Sequence, residues 1–201
     1  MNGKTIAAGV AGIFALGLVI KGALEGRKGA SSSGQPTTPE RQALLDQADL
    51  LLGVPYQWGG GRSTSDYGVD CSGLIILASK RAGLPLPPCP LATSNGWWKC
   101  LPRVSSPEPG DLALYGNASE DRAFHVELVR SWDGEVAQTI GANGGDRDVL
   151  TPEIAEERGA FVRYASTEGR SNFLGFVRNP LGGTPGESVP VNIHELQADE
   201  A

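Results

Sequence analysis

Three cysteines and two histidines are the residues of this 201-residue chain best suited to nucleophilic and acid–base chemistry. Cys71 stands in Asp70-Cys71-Ser72-Gly73-Leu74, where Asp70 reads as the cap of a helix that begins at the thiol. A helix start leaves backbone N–H groups unpaired at the positive end of the macrodipole, and both favour the thiolate, the nucleophilic form. The charge of Asp70 opposes this, but a capping carboxylate is engaged by backbone N–H groups. A thiolate needs a partner that takes its proton and returns it to a leaving amine, and histidine suits that task. His194 lies in a terminal stretch with scattered Pro and Gly, whereas His125 lies in the strand-like run FHVELV, with Val126 and Leu128 on one face and His125 on the other. Cys71 and His125 therefore read as a pair for covalent thiol catalysis. The alternatives are a small buried cysteine and an ordinary core or surface histidine.

Strand parity supplies a third polar group. A hairpin at Asp133-Gly134 pairs even positions with even ones, which leaves Gly141 and Asn143 on the face of His125 and roughly opposite it. Asn143 then orients the imidazole as the third member of a Cys-His-polar triad. A turn asparagine at a strand end is the competing reading, and Gln138, Thr139 or a water takes the role in another register.

These side chains need elements to position them. Thr38 as cap and Pro39 at the first helical position open PERQALLDQADLLLG, whose Ala43, Leu44, Ala48, Leu51 and Leu52 form one stripe ending at Gly53. The second helix runs from about Cys71 to Ala82, stopped by Gly83. Strand patterns follow at 111–115, 124–132, 135–143, 160–166 and 173–179. Helices followed by a meandering antiparallel sheet predict an α+β fold. Cys89 and Cys100 enclose a short loop and pair if the domain reaches an oxidising compartment, against the alternative of two buried thiols. Trp97 and Trp98 sit in that loop and are expected to pack into the core.

Composition narrows the function. Seventeen basic against twenty-three acidic side chains give a net charge of −6, which leaves no footprint for a nucleic-acid backbone. The cysteines and histidines lack paired metal-ligand spacing, so no metal site is expected. No cofactor is implied either, since the GGGR at 59–62 lacks the residues of a phosphate loop. The run from Thr5 to Ile20 is free of charge and flanked by Lys4 and Lys21. It reads as an uncleaved membrane anchor over 1–24, followed by a flexible linker at 25–37, a folded domain at 38–180 and a tail at 181–201. Lys21, Arg27 and Lys28 after the span lean toward an inward-facing domain.

YQWGGG at 56–61, DCSGL at 70–74, PGDLALYG at 109–116 and the His-Val strand at 125–126 together resemble the NlpC-type family of cysteine peptidases that act on bacterial cell walls. The resemblance covers roughly 39–180 and implies a papain-like α+β fold, with helices packed on an antiparallel sheet. It implies hydrolysis of peptidoglycan stem peptides, most often between D-glutamate and a diamino acid. Cys71 matches the nucleophile and His125 the base. Tyr56 matches a tyrosine that binds substrate and stabilises the oxyanion, and Trp58, Asp70 and Ser72 belong to the same pocket motifs. The strand after the base carries Ile140-Gly141-Ala142 where the family frequently has a histidine between the Ile and the Ala. With the anchor, the resemblance implies an enzyme at a bacterial envelope or on a phage particle, with peptidoglycan as partner. The other readings are an N-acetylmuramoyl-L-alanine amidase or acyltransferase on the same triad, and a non-catalytic wall-binding or virion module.

Overall fold

The computed structural model describes residues 37–63 and 65–181. The expected anchor at 1–24, nearly all of the linker, the tail beyond Leu181 and His194 lie outside the described residues. Among the described residues no helix is long and apolar enough to cross a membrane.

Helix α1 (Pro39–Asp49) starts where the cap and proline place it, with the Thr38 hydroxyl accepting from the Arg41 N–H. Leu44, Ala48 and Leu51 are buried as the stripe requires, and Leu45 joins them. Leu52 does not. The helix closes at Asp49 with a tightened turn from Leu51 N–H to the Ala48 carbonyl, which swings Leu52 outward. Arg41 is buried despite its charge, because its guanidinium donates to Asp111 Oδ1 at 3.0 Å, the Pro109 carbonyl at 2.8 Å and the Asn179 carbonyl at 2.7 Å. It thereby ties α1 to the two segments flanking the sheet.

Helix α2 (Cys71–Arg81) carries the thiol on its first residue and buries Leu74, Ile75 and Ile76. Helix α3 (Ser94–Cys100) replaces the expected loop around the tryptophans. Its signal is Thr93, whose hydroxyl accepts from the Gly96 N–H at 3.0 Å. Trp97 and Trp98 are buried, and a disulfide joins Cys89 to Cys100. Helix α4 (Pro152–Glu157) opens on Thr151-Pro152, the same cap-and-proline signal as α1.

Six antiparallel strands form one sheet: β1 (Arg103–Val104), β2 (Leu112–Asn117), β3 (Arg122–Trp132), β4 (Ala137–Asn143), β5 (Phe161–Ser166) and β6 (Phe173–Val177). Their order is β1-β6-β2-β3-β4-β5, so the expected meander holds only from β2 to β5. The last strand crosses back to pair with β2, because Leu112 to Tyr115 are buried on both faces and such a strand needs a neighbour on each side. Leu112, Leu114, Val126, Leu128 and Ile140 join the helices in the main core, each such side chain contributing about 1.5–3 kcal/mol by burial. Ala113, Tyr115, Val129 and Phe176 form a second, smaller cluster.

One irregularity bears on the site. Tyr115 pairs with His125 but Gly116 pairs with Ala123, so Phe124 bulges out of the ladder. In a regular strand Phe124 and His125 would face opposite sides. Here both line the same cleft.

Candidate active site

The start of α2 packs on the glycine turn at 59–61. A Cβ on Gly73 would collide with the Gly60 carbonyl, and one on Gly61 would stand 2.5 Å from the Gly73 oxygen. Backbone rests on backbone, which is why both sequence motifs carry glycine. Asp70 locks this arrangement. Its Oδ1 accepts from the Gly73 N–H at 2.6 Å and the Ser72 hydroxyl at 2.9 Å, and its Oδ2 accepts from the Gly59 N–H at 3.0 Å and Arg62 Nη1 at 2.9 Å. Arg62 also donates to the Gly60 carbonyl at 3.0 Å and to Ser72 Oγ at 2.7 Å. The Asp70 charge beside Cys71 is thus paired with a guanidinium. Asp70 and Ser72 are buried and lie beneath the cleft as its support, not on its wall.

His125 comes from β3. Its Nε2 lies 3.1 Å from Asn143 Oδ1 and 3.2 Å from Glu127 Oε1. The Asn143 amide is oriented by its own Nδ2, which donates to the Gly141 carbonyl at 3.1 Å. Two oxygens facing Nε2 require that nitrogen to carry a proton, so Nδ1 is the nitrogen left for the Cys71 thiol, which opens onto the same cleft. Asn143 lies on the face of His125 as expected, but the hairpin does not pair even positions with even ones throughout: Trp132 pairs with Ala137 and Ser131 with Gln138, and a bulge at Arg130 shifts the register. The ladder pairs Leu128 with Ile140 and Val129 with Thr139, and continuing that register sets Gly141 opposite Glu127 and Asn143 opposite His125.

Glu127 is the residue that the sequence reading missed. It is fully buried, with Tyr115 and Thr139 hydroxyls donating to Oε2 at 2.8 and 2.6 Å and Arg170 Nη1 lying 3.4 Å from Oε1. Its signal was present two residues after His125, on the same strand and face. Burial disfavours charge on both groups, but their mutual attraction and hydrogen bonding prevail. The neighbouring Cys71, and after it Glu127, raises the His125 imidazole to about 9, and His125, Thr139 and Tyr115 lower the Glu127 carboxyl to about 2.

Cys71, His125 and Asn143 open together onto a cleft of about 370 Å³, walled by Tyr56, Trp58, Phe124, Arg147 and Arg170. Tyr56 is buried against the site, and burial, followed by the charges of Cys71 and Asp70, pushes its phenol well above the ordinary value, so the hydroxyl stays a proton donor. Trp58 and Phe124 are half or more exposed on the rim. Among the described residues no group of three metal-ligating side chains is found. The arrangement offers a thiol nucleophile, a proton carrier held in one tautomer and a neutral hydroxyl donor in one concave site.

Residues 53–146 match the family model described as NlpC/P60 family. Over 81 residues the chain is 37% identical to "Probable endopeptidase Rv2190c" of Mycobacterium tuberculosis, covering 40% of this chain and 20% of that protein. It is 32% identical over 90 residues to "Bifunctional muramidase/DL-endopeptidase CwlT" of Bacillus subtilis, covering 43% of this chain and 26% of the relative. The chain thus spans a fifth to a quarter of the length of these curated relatives. The fold resembles that of the peptidoglycan hydrolase RipB of M. tuberculosis, with a TM-score of 0.51 at 23% identity over 73% of this chain and 72% of that one. It also resembles an NLP/P60 lipoprotein-like structure from Staphylococcus aureus, with a TM-score of 0.52 at 20% identity over 74% of this chain and 44% of that one. Residues 53–146 are therefore similar to the NlpC/P60 family, and the fold of the described residues is α+β with an antiparallel sheet, as in these solved structures.

Proposed function

We propose that the protein is a peptidoglycan hydrolase that cleaves stem-peptide amide bonds through a Cys71 thioester. The observation that carries this reading is the convergence of Cys71 and His125 on one cleft, with Asn143 Oδ1 3.1 Å from the imidazole Nε2. The family match and the endopeptidase names of its relatives support the substrate class.

In this mechanism the Cys71 sulfur attacks the scissile carbonyl as a thiolate paired with the His125 imidazolium. The Tyr56 hydroxyl and the Cys71 backbone N–H donate to the developing oxyanion. The imidazolium then gives its Nδ1 proton to the leaving amine as the C–N bond breaks. A water, deprotonated by the now neutral ring, hydrolyses the thioester and restores the pair. Asn143 keeps the ring in plane for both transfers. Trp58 and Phe124 offer apolar contact on the rim, and Arg147 and Arg170 offer cations to an acidic peptide, which suits a bond between D-glutamate and a diamino acid.

The uncharged segment at 5–20 supports an envelope-tethered enzyme, bacterial or carried by a phage. The Cys89–Cys100 disulfide supports an outward-facing domain against the lean of the flanking basic residues. Digestion of purified peptidoglycan with the full chain, followed by mass analysis of the released peptides, tests the reading. Products ending in D-glutamate support it. Products cut at the glycan–L-alanine bond reject the endopeptidase assignment.

A further inference from the structure

We propose that Glu127 is a positioning residue for His125, supplying the negative charge that keeps the ring protonated, and that Gly141 is glycine to leave room for it. The inference rests on the thiol mechanism above but concerns a residue that mechanism does not need for its steps.

A fully buried carboxylate is unfavourable unless donors meet its lone pairs. Donors from four segments converge on Glu127: Tyr115 from β2, His125 from β3, Thr139 from β4 and Arg170 from the loop before β6. Three of them hold the carboxylate in place, and the fourth is the ring of the catalytic base. A core with no use for this charge would be simpler with an apolar residue, since the neighbouring cluster is Ala113, Val129 and Phe176.

Gly141 completes the argument. A Cβ there would stand 2.6 Å from Glu127 Cγ and 3.0 Å from Asn143 Nδ2, so any side chain at 141 would displace both partners of the ring. The strand opposite His125 thus gives up a side chain of its own, and the carboxylate arrives from β3 instead.

Asn143 and Glu127 touch the same nitrogen but do different work. The Asn143 amide is neutral and orients the ring. Glu127 is anionic, and at 3.2 Å from Nε2 it favours the imidazolium, second to Cys71 among the groups that raise the ring. The other groups around the ring are Cys71 on α2, whose thiolate acts in the same direction, and Arg170, whose cation opposes it while stacked 4.2 Å from the Tyr115 ring centroid. No proton passes to Glu127, which stays ionised through the cycle.

The test compares the full-length wild type with Glu127→Gln, Glu127→Asp and Asn143→Ala. The rate of Cys71 alkylation by iodoacetamide is followed against pH, with the labelled peptide identified by mass, together with the His125 titration by NMR. Glu127→Gln is expected to lower the His125 transition and to slow alkylation at pH 6 by about tenfold or more. Glu127→Asp recovers part of that loss, and Asn143→Ala leaves the pH profile in place while turnover falls. A wild-type profile in Glu127→Gln, or a shift in Asn143→Ala as large as in Glu127→Gln, overturns the proposal. If Glu127→Gln does not fold, Gly141→Ala takes its place with the same expected shift, and an unmoved profile there overturns it equally. A shifted profile in a protein that releases no muropeptides rejects the wall-hydrolase reading and leaves the Glu127 assignment standing.

Discussion

In the proposed mechanism the proton on His125 governs what Cys71 can do. With the ring raised to about 9, the imidazolium that protonates the leaving amine persists through neutral pH, and activity is expected to fall on an alkaline limb near that value. The same linkage acts on stability. His125 contributes stability that is complete below its ordinary value near 6.5 and is lost as pH rises through about 9. Glu127 contributes stability that is complete above its ordinary value and is lost as pH falls through about 2. Urea unfolding across pH 6 to 10 should therefore show a decline that disappears in His125→Ala. Asn143→Ala is expected to lower kcat by about ten- to a hundredfold, less than loss of Cys71 or His125, because orientation is impaired while both reacting groups remain. Turnover unchanged in a folded Asn143→Ala protein would remove it from the site. At this scale the placement of Cys71 at a helix start and of His125 on a strand was legible because both are local properties, and Asn143 was placed by matching apolar faces across the hairpin, although the bulge at Arg130 was not legible. Glu127 was not, since a glutamate on a strand ordinarily faces water and only the convergence of Tyr115, Thr139 and Arg170 makes burial tolerable. Arg62 escaped for a similar reason: nothing near it in sequence shows that a loop arginine pairs with Asp70.

At the scale of elements, the start of α2 is held by contact between two glycine-bearing segments rather than by its own propensity. Gly73→Ala forces Gly60 away and should destabilise the fold by about 1–3 kcal/mol, read by urea denaturation, with a loss of alkylation specificity at Cys71. The Cys89–Cys100 bridge lies away from the cleft lining and closes a short loop around α3. Replacing both cysteines with serine is expected to cost about 2–4 kcal/mol while leaving kcat within about twofold of the wild type. The five strand patterns read from sequence all correspond to strands, because alternation and turn residues are strong local signals. The placement of β6 beside β2 was not legible, as strand order depends on which strand is buried on both faces. Helix α3 is seven residues long and its periodicity is too brief to stand out from the turn residues around it.

For the whole molecule, the folded domain follows an apolar amino-terminal segment in sequence. We propose that this segment tethers the enzyme at the envelope, so the full chain should partition with membranes and deletion of residues 1–24 should release it. A full-length protein recovered wholly in the aqueous phase without detergent contradicts the tether. The net charge of −6 adds a consequence, since an acidic domain is weakly repelled by an anionic wall and should digest faster as salt screens that repulsion. Covalent catalysis by Cys71 is open to rapid quenching of the protein with a defined muropeptide, followed by mass analysis of its peptides. An acyl adduct is expected on the peptide containing Cys71 and absent from Cys71→Ala, which should lose about a thousandfold or more in kcat/KM. Cleavage by Cys71→Ala at a rate near that of the wild type would contradict it.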